Sequence, residues 1–188
     1  RYRPGADYAQ LYDWSVGEPA AFWQAVWKFC GIVHHTPPRA VLEDARRMPG
    51  ARWFVDATLN FAENLLRHRD DHPALVFRDE TGTRRELSYA DLAAQVGAMT
   101  AALHAFGVQP GDRVAGYLPN IPEAIIAMLA AASVGAVWSS CSPDFGARAV
   151  LDRFGQIAPK VVFVCGGYHY NGKPQDSRAA VAEILAGL

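Results

Sequence analysis

The chain has 188 residues, 51% of them hydrophobic and 20% charged, which suffices for a sizeable core and about one domain. Such a composition excludes disordered, collagen-like and transmembrane classes. Eighteen basic against nineteen acidic side chains leave a formal net charge of -1, so no summed positive field is available to hold a nucleic acid backbone or an anionic membrane surface.

The three cysteines, Cys30, Cys141 and Cys165, are odd in number and show no CxxC spacing. They support neither a disulfide framework nor a zinc ribbon and point to a reducing, cytoplasmic compartment. The sequence begins at Arg1 rather than Met, shows no charged n-region followed by an apolar run, and ends at Leu188 inside a helix-like stretch. It reads as part of a longer chain.

Residues 1–72 form the first predicted segment, an aromatic-rich arm with short helices and no long regular elements. It holds four of the five tryptophans: Trp14, Trp23, Trp27 and Trp53. Phe22, Trp23, Val26, Trp27, Cys30 and Val33 recur at helical spacing after Pro19, a residue suited to a first helical turn because no amide needs a partner there. Asn60 with Glu63 three residues later predicts the start of a short helix through Leu65 and Leu66. Aromatic burial, about 1.5–3 kcal/mol per large side chain, is expected to hold this arm across a larger body.

Residues 73–188 alternate strand and helix. Ala74–Phe77 and Arg85–Ser88 read as two strands joined by a turn around Gly82. Ser88 and Asp91 have capping-box spacing, and Leu92, Val96, Met99, Leu103 and Phe106 follow as a helical stripe ending at Gly107. A strand over Arg113–Leu118 leads to a helix opened by Pro122 and Glu123 and stopped at Gly135. A strand over Ala136–Ser139, a helix over Ala147–Ile157, a strand over Val161–Val164 and a helix from about Ser177 complete the pattern. Strands separated by helices predict an α/β fold with a parallel sheet, right-handed crossovers and flanking helices.

In such a sheet the loops at the carboxyl ends of the strands share one edge, where ligands bind. Here these are Pro119–Asn120, Ser140–Phe145 and Cys165–Lys173, carrying Asp144, His169 and Lys173. Gly167 through Lys173 matches the phosphate-loop pattern G-x-x-x-x-G-K, but Pro174 has neither the hydroxyl nor the amide that such a loop supplies next, and Tyr168-His169-Tyr170 crowds it. Lys173 therefore stands as a point-charge partner for a single phosphate group, against the plain alternative of a solvated surface lysine. Ser139, Ser140, Cys141 and Ser142 lack a nucleophile-elbow pattern and read as strand-end hydroxyls capping the next helix. Cys141 and Cys165 each follow a strand and are expected to be neighbours across the loops. His34-His35 marks a turn, with no ligand spacing around it.

Several segments then carry a resemblance: Arg52-Trp53-Phe54, Thr58 through Leu66, Gly111-Asp112-Arg113-Val114, Leu118-Pro119-Asn120 with Pro122-Glu123-Ala124, Trp138 through Gly146, Leu151-Asp152-Arg153-Phe154 and Tyr170-Asn171-Gly172-Lys173. Together they resemble the N-terminal part of the acetoacetyl-CoA synthetases, within the acyl-adenylate-forming superfamily. Gly-Asp-Arg-Val is shared across the superfamily, whereas Trp138-Ser-Ser-Cys-Ser-Pro-Asp-Phe-Gly146 and Tyr170-Asn-Gly-Lys173 are more specific. Acetyl-CoA synthetases carry a Gly-Gly-Phe loop where this chain has Pro143-Asp144-Phe145.

The resemblance implies part of the large N-terminal domain of a two-step ligase. ATP, magnesium and acetoacetate would give acetoacetyl-adenylate and pyrophosphate, and CoA would then displace AMP. The phosphate loop, the adenine and ribose motifs and the catalytic lysine of the family belong to the remainder of the parent chain. The ATP and magnesium sites are thus expected outside these residues, which would be inactive alone and hold no catalytic or metal-binding residue. By the same resemblance Ser142, Pro143, Asp144, Tyr170 and Lys173 lie beside the CoA nucleotide, Tyr170 and Lys173 standing where acetyl-CoA synthetases have arginines. The rival readings are a ligase for another short acyl group and a free-standing nucleotide-binding or scaffold module.

Overall fold

The computed structural model describes residues 5–188. By contacts the chain divides into two compact units, one ending at Asn60 and one spanning Phe61–Leu188. The alternating run begins at 73, yet the division falls at 60/61, because Ala62 and Leu66 are buried in the core of the second unit.

The first unit is more regular than an arm without long elements. Helix α1 (Tyr8–Gly17) opens with a capping box in which Asp7 accepts from the Gln10 amide at 2.9 Å and Gln10 accepts from the Asp7 amide at 3.0 Å. Helix α2 (Pro19–Phe29) has proline in its first turn, as the sequence predicted, and ends at Cys30, before Val33. Strands β1 (Ala40–Glu43) and β2 (Arg52–Val55) pair antiparallel, with Leu42 opposite Trp53. The aromatic side chains meet one another inside this unit. Trp14 packs edge-on to Phe22 at 5.2 Å, Trp23 approaches Trp53 at 6.0 Å, and Trp27 stacks on Phe54 at 4.5 Å. The hairpin β1–β2, silent in the sequence, thus supplies a partner surface for Trp23 and Trp27 of α2.

The second unit is α/β, with helices on both faces of a parallel sheet. Its elements are α3 (Phe61–Leu65), the antiparallel pair β3 (Pro73–Arg78) and β4 (Arg84–Ser88), α4 (Tyr89–Ala105), β5 (Arg113–Tyr117), α5 (Pro122–Val134), β6 (Val137–Cys141), α6 (Ala147–Ile157), β7 (Val161–Val164), β8 (Gly167–Tyr170), β9 (Lys173–Asp176) and α7 (Arg178–Gly187). The parallel sheet has the order β6-β5-β7, with Ala115 level with Ser139 and Val162. Alternation along β5 sorts the core into two clusters. Val114 joins the residues of α3, α4 and α5, whereas Ala115 and Tyr117 join Val150 and Phe154 of α6 and Ile184 of α7. Gly116 is required, since a Cβ there would lie 2.7 Å from the Trp138 ring.

Local signals set most boundaries. Ser88 and Asp91 form the predicted capping box, and Gly135 closes α5 at φ 82° with its N–H on the Ala131 and Ala132 carbonyls. At the amino edge of the sheet the Gly-Asp-Arg motif is scaffolding. Asp112 accepts from the Gln109 amide at 2.9 Å and from Lys160 at 3.0 Å, while Arg113 Nε donates to the Ile157 carbonyl at 2.7 Å. These bonds join the start of β5 to the turn that leads from α6 into β7.

The α4 stripe is buried at Leu92, Val96 and Leu103, but Phe106 forms the C-cap and is 69% exposed, because the helix ends one residue before the stripe does. Leu103, 1% exposed, lies among packed side chains, and Gln95 faces outward. Leu103→Ala should therefore destabilise the chain by about 2–5 kcal/mol through lost transfer energy and a cavity. Gln95→Ala should change stability by less than about 0.5 kcal/mol in the same denaturant titration; equal losses would refute the helix phase.

Candidate functional site

Three connections leave the carboxyl edge of the parallel sheet: residues 118–121 after β5, residues 142–146 after β6, and the segment after β7. The third is not the open loop over Cys165–Lys173 expected from the sequence. Gly167–Tyr170 and Lys173–Asp176 pair as the antiparallel hairpin β8–β9, with Tyr170 opposite Lys173 and Tyr168 opposite Gln175. Asn171 and Gly172 both have positive φ, 50° and 70°, the geometry of a two-residue hairpin turn. A strand pair cannot wrap a phosphate, so the G-x-x-x-x-G-K pattern here is a hairpin and not a phosphate loop.

Tyr117, at the end of β5, fixes the loop after β6. Its ring is buried at 1% exposure, and its hydroxyl proton lies between two carbonyls, those of Pro143 at 2.8 Å and Phe145 at 3.0 Å. Burial pushes this phenol above its ordinary range, so it stays a donor. Within the loop the Ser142 hydroxyl donates to Asp144 at 2.9 Å, and Arg153 of α6 lies 4.6 Å over the Phe145 ring. The expectation that strand-end hydroxyls cap α6 is corrected: β6 runs on to Cys141, the N-cap is Gly146, and no side chain caps it.

The loop and the hairpin are joined by one bond that sequence reasoning missed. Tyr168 donates from its hydroxyl to the other Asp144 oxygen at 2.9 Å. Tyr168 and Tyr170 are two residues apart on β8, and Lys173 is the cross-strand partner of Tyr170, so all three project on one face of the hairpin. Of the five residues expected from the sequence, Asp144 is brought directly to this face, Ser142 is bonded to it, and Pro143 is held by Tyr117. Tyr170 is 58% exposed, and Lys173 is exposed with no ion pair to any described carboxylate. Lys160, in contrast, is committed to Asp112 at the opposite edge.

Two clefts flank Pro119 and Asn120. One of about 360 Å³ is lined by Phe77, Arg78, Asn120, Tyr168 and His169, and another of about 300 Å³ by Leu118, Met128, Trp138, Ser140 and Ser142. Cys141 and Cys165 are free thiols on opposite sides of β5, which separates them by about two strand spacings, roughly 10 Å. Their expected adjacency is thereby corrected. Burial raises the Cys141 pKa and so keeps its thiol protonated. Among the described residues no group of three or more His, Cys, Asp or Glu is placed to hold a metal ion, and no helix is long and apolar enough to cross a membrane.

Desolvation, and after it the hydrogen bond and charge of Asp144, push the Tyr168 phenol from 10 up to about 12. A raised folded-state value means that the stabilisation is complete below pH 10 and is lost as pH rises through about 12. In Asp144→Asn the Tyr168 titration, followed by ultraviolet absorbance, should move down towards 10 while staying above it, because desolvation remains. An unchanged midpoint would show that Asp144 does not bind Tyr168 in solution.

Residues 61–187 match the family of AMP-binding enzymes, and residues 8–65 match the family described as acetyl-coenzyme A synthetase N-terminus. An acetoacetyl-coenzyme A synthetase of Rhizobium meliloti (strain 1021) is 52% identical over 186 residues, 99% of this chain and 28% of that protein. A malonamoyl-CoA synthetase of Penicillium aethiopicum is 38% identical over 188 residues, 96% of this chain and 26% of that protein. The solved acetoacetyl-CoA synthetase from Streptomyces lividans matches with a TM-score of 0.93 at 51% identity, over 100% of this chain and 29% of that one. The chain spans less than a third of the length of these relatives. Since the AMP-binding match runs through most of its residues and the fold agrees, the chain belongs to the AMP-binding enzyme family.

Proposed function

We propose that this chain is part of an AMP-forming acid–thiol ligase that makes acetoacetyl-CoA from acetoacetate, ATP and CoA, and that it contributes a section of the surface receiving CoA. The observation that carries the second part is the Asp144–Tyr168 bond, which locks the loop after β6 to the hairpin at the carboxyl edge of the sheet. The first part rests on the likeness to acetoacetyl-CoA synthetases along nearly the whole chain. The similarity to a malonamoyl-CoA synthetase favours a second reading in which another short acid is the substrate. Activity of the parent enzyme with acetoacetate against other short acids separates the two.

In the proposed reaction the acid is activated as its adenylate, with release of pyrophosphate, and the CoA thiol then displaces AMP. ATP and magnesium bind in the rest of the parent chain, in a cytoplasmic enzyme. By themselves the 188 residues are expected to release no acetoacetate-dependent pyrophosphate from ATP, since positioning the triphosphate is most of what such a step requires. Release by the purified chain would refute this.

The role of the hairpin is recognition. Lys173 supplies an unpaired positive charge for the 3′-phosphate end of CoA, Tyr170 flanks it, and Ser142, Pro143 and Asp144 form the rigid wall beside them. In the parent enzyme Lys173→Ala should raise the KM for CoA by about two- to fivefold, as expected for an exposed charge-assisted contact. The preference for CoA over dephospho-CoA should narrow by the same factor. An unchanged preference would leave Lys173 a solvated surface residue and overturn the placement of CoA here.

A further inference from the structure

Glu80 lies in the turn between β3 and β4, far in sequence from the loop after β6 and from the β8–β9 hairpin, and it lines the cleft that Phe77 and Tyr168 also line. That turn is braced from within: Asp79 Oδ1 accepts from the Thr81 amide at 2.9 Å, the Thr81 hydroxyl at 2.7 Å and the Thr83 amide at 2.9 Å. Multiple hydrogen bonds to its charged form, first that of the Thr81 hydroxyl, hold the Asp79 carboxyl below its ordinary range. Glu80 is thus presented from a backbone that is already fixed.

Its carboxylate reaches the tip of the β8–β9 hairpin. Oε1 accepts from the Asn171 amide at 3.0 Å, and Oε2 accepts from the Gly172 amide at 2.7 Å. A two-residue turn directs these two N–H groups outward, so a bidentate carboxylate satisfies both with charge-assisted bonds. Tyr170 immediately precedes the two amides, and Lys173 immediately follows them. The hairpin is consequently tied at two separate points, by Asp144 on the Tyr168 hydroxyl and by Glu80 on the backbone of the tip. The first bond alone would leave the tip free to swing about Tyr168, and Lys173 sits at the swinging end.

We propose that Glu80 is a positioning residue for CoA: by clamping the Asn171–Gly172 turn it fixes where Lys173 presents its charge. This deepens the reading of the hairpin as part of the CoA surface and rests on it. In this reading Glu80 acts through Lys173, whose charge it positions, and that makes it separable from a contribution to folding alone.

The test uses the full-length parent enzyme with Glu80→Ala, Lys173→Ala and the double variant. Amide hydrogen exchange at Asn171 and Gly172 should quicken by about tenfold or more in Glu80→Ala, since the opened tip loses its acceptors. The KM for CoA should rise by about two- to fivefold, no more than in Lys173→Ala, with kcat at saturating CoA little changed, as for a lost binding contact. In the Lys173→Ala background the Glu80 substitution should add nothing further to KM, because the charge it positions is gone. Unchanged exchange at the tip would overturn the clamp. Faster exchange with an unchanged KM, or with losses that simply add in the double variant, would make Glu80 a structural residue only and overturn the proposal. Failure of the underlying CoA reading has a different signature: Lys173→Ala alone would keep the full preference for CoA over dephospho-CoA, whatever Glu80→Ala does to exchange.

Discussion

Strand β5 is hydrogen-bonded along both edges, and the placement of the second unit follows from that single constraint. A strand paired on both sides and covered on both faces has no exposure to spare; Val114, Ala115 and Tyr117 are all buried. Its pleat then divides the helices, with α3, α4 and α5 gathering on the Val114 side and α6 and α7 on the side of Ala115 and Tyr117. The two ends of the strand are secured by different means. At the amino end Asp112 and Arg113 use charge-assisted bonds to Lys160 and to carbonyls at the end of α6, whereas at the carboxyl end Tyr117 uses one buried hydroxyl.

This asymmetry separates scaffold from site. The segment Gly111-Asp112-Arg113-Val114 lies at the edge away from the loop after β6 and the β8–β9 hairpin, and its polar groups are spent on the turn between α6 and β7. The candidate site is instead built from one tyrosine per layer: Tyr117 holds the loop after β6, and Tyr168 holds the hairpin to that loop through Asp144. Neither hydroxyl is free to ionise near neutral pH, because desolvation raises both phenols. Their role in the geometry is to donate, and Asp144, which accepts from Ser142 and Tyr168 at once, is the point where the loop and hairpin are joined.

The first unit follows a different logic. Among its described residues only Ala25 and Val55 are buried apolar residues, and its aromatic rings remain partly open, Trp23 at 42% and Trp53 at 45% exposure. Edge-to-face and stacked contacts between rings thus stand in for a closed core, joining α2 to the β1–β2 pair through Trp23 with Trp53 and Trp27 with Phe54.

Much of the fold was legible in the sequence because its signals are local. The Ser88–Asp91 capping box, Pro122 at the start of α5, Gly135 at its end, and the apolar runs of β5 and β7 are each decided within a few residues, where side chain and backbone compete directly. The Asn171-Gly172 pair was also a local signal, the dipeptide that favours a two-residue hairpin turn, but a phosphate-loop spacing laid over it concealed the strand alternation of Tyr168-His169-Tyr170. What the tertiary structure alone decided lies at long sequence separation: Glu80 on Asn171 and Gly172, Tyr117 on Pro143 and Phe145, Tyr168 on Asp144, and Trp27 on Phe54. A hydroxyl, a carboxylate or a ring carries no mark in sequence of which distant partner it will meet, since that choice is made by strand order and register. The sequence therefore determined the helices and strands of the parallel sheet and the loops at its carboxyl edge, whereas the β1–β2 and β8–β9 pairs and the side chains that hold that edge in place were decided by packing.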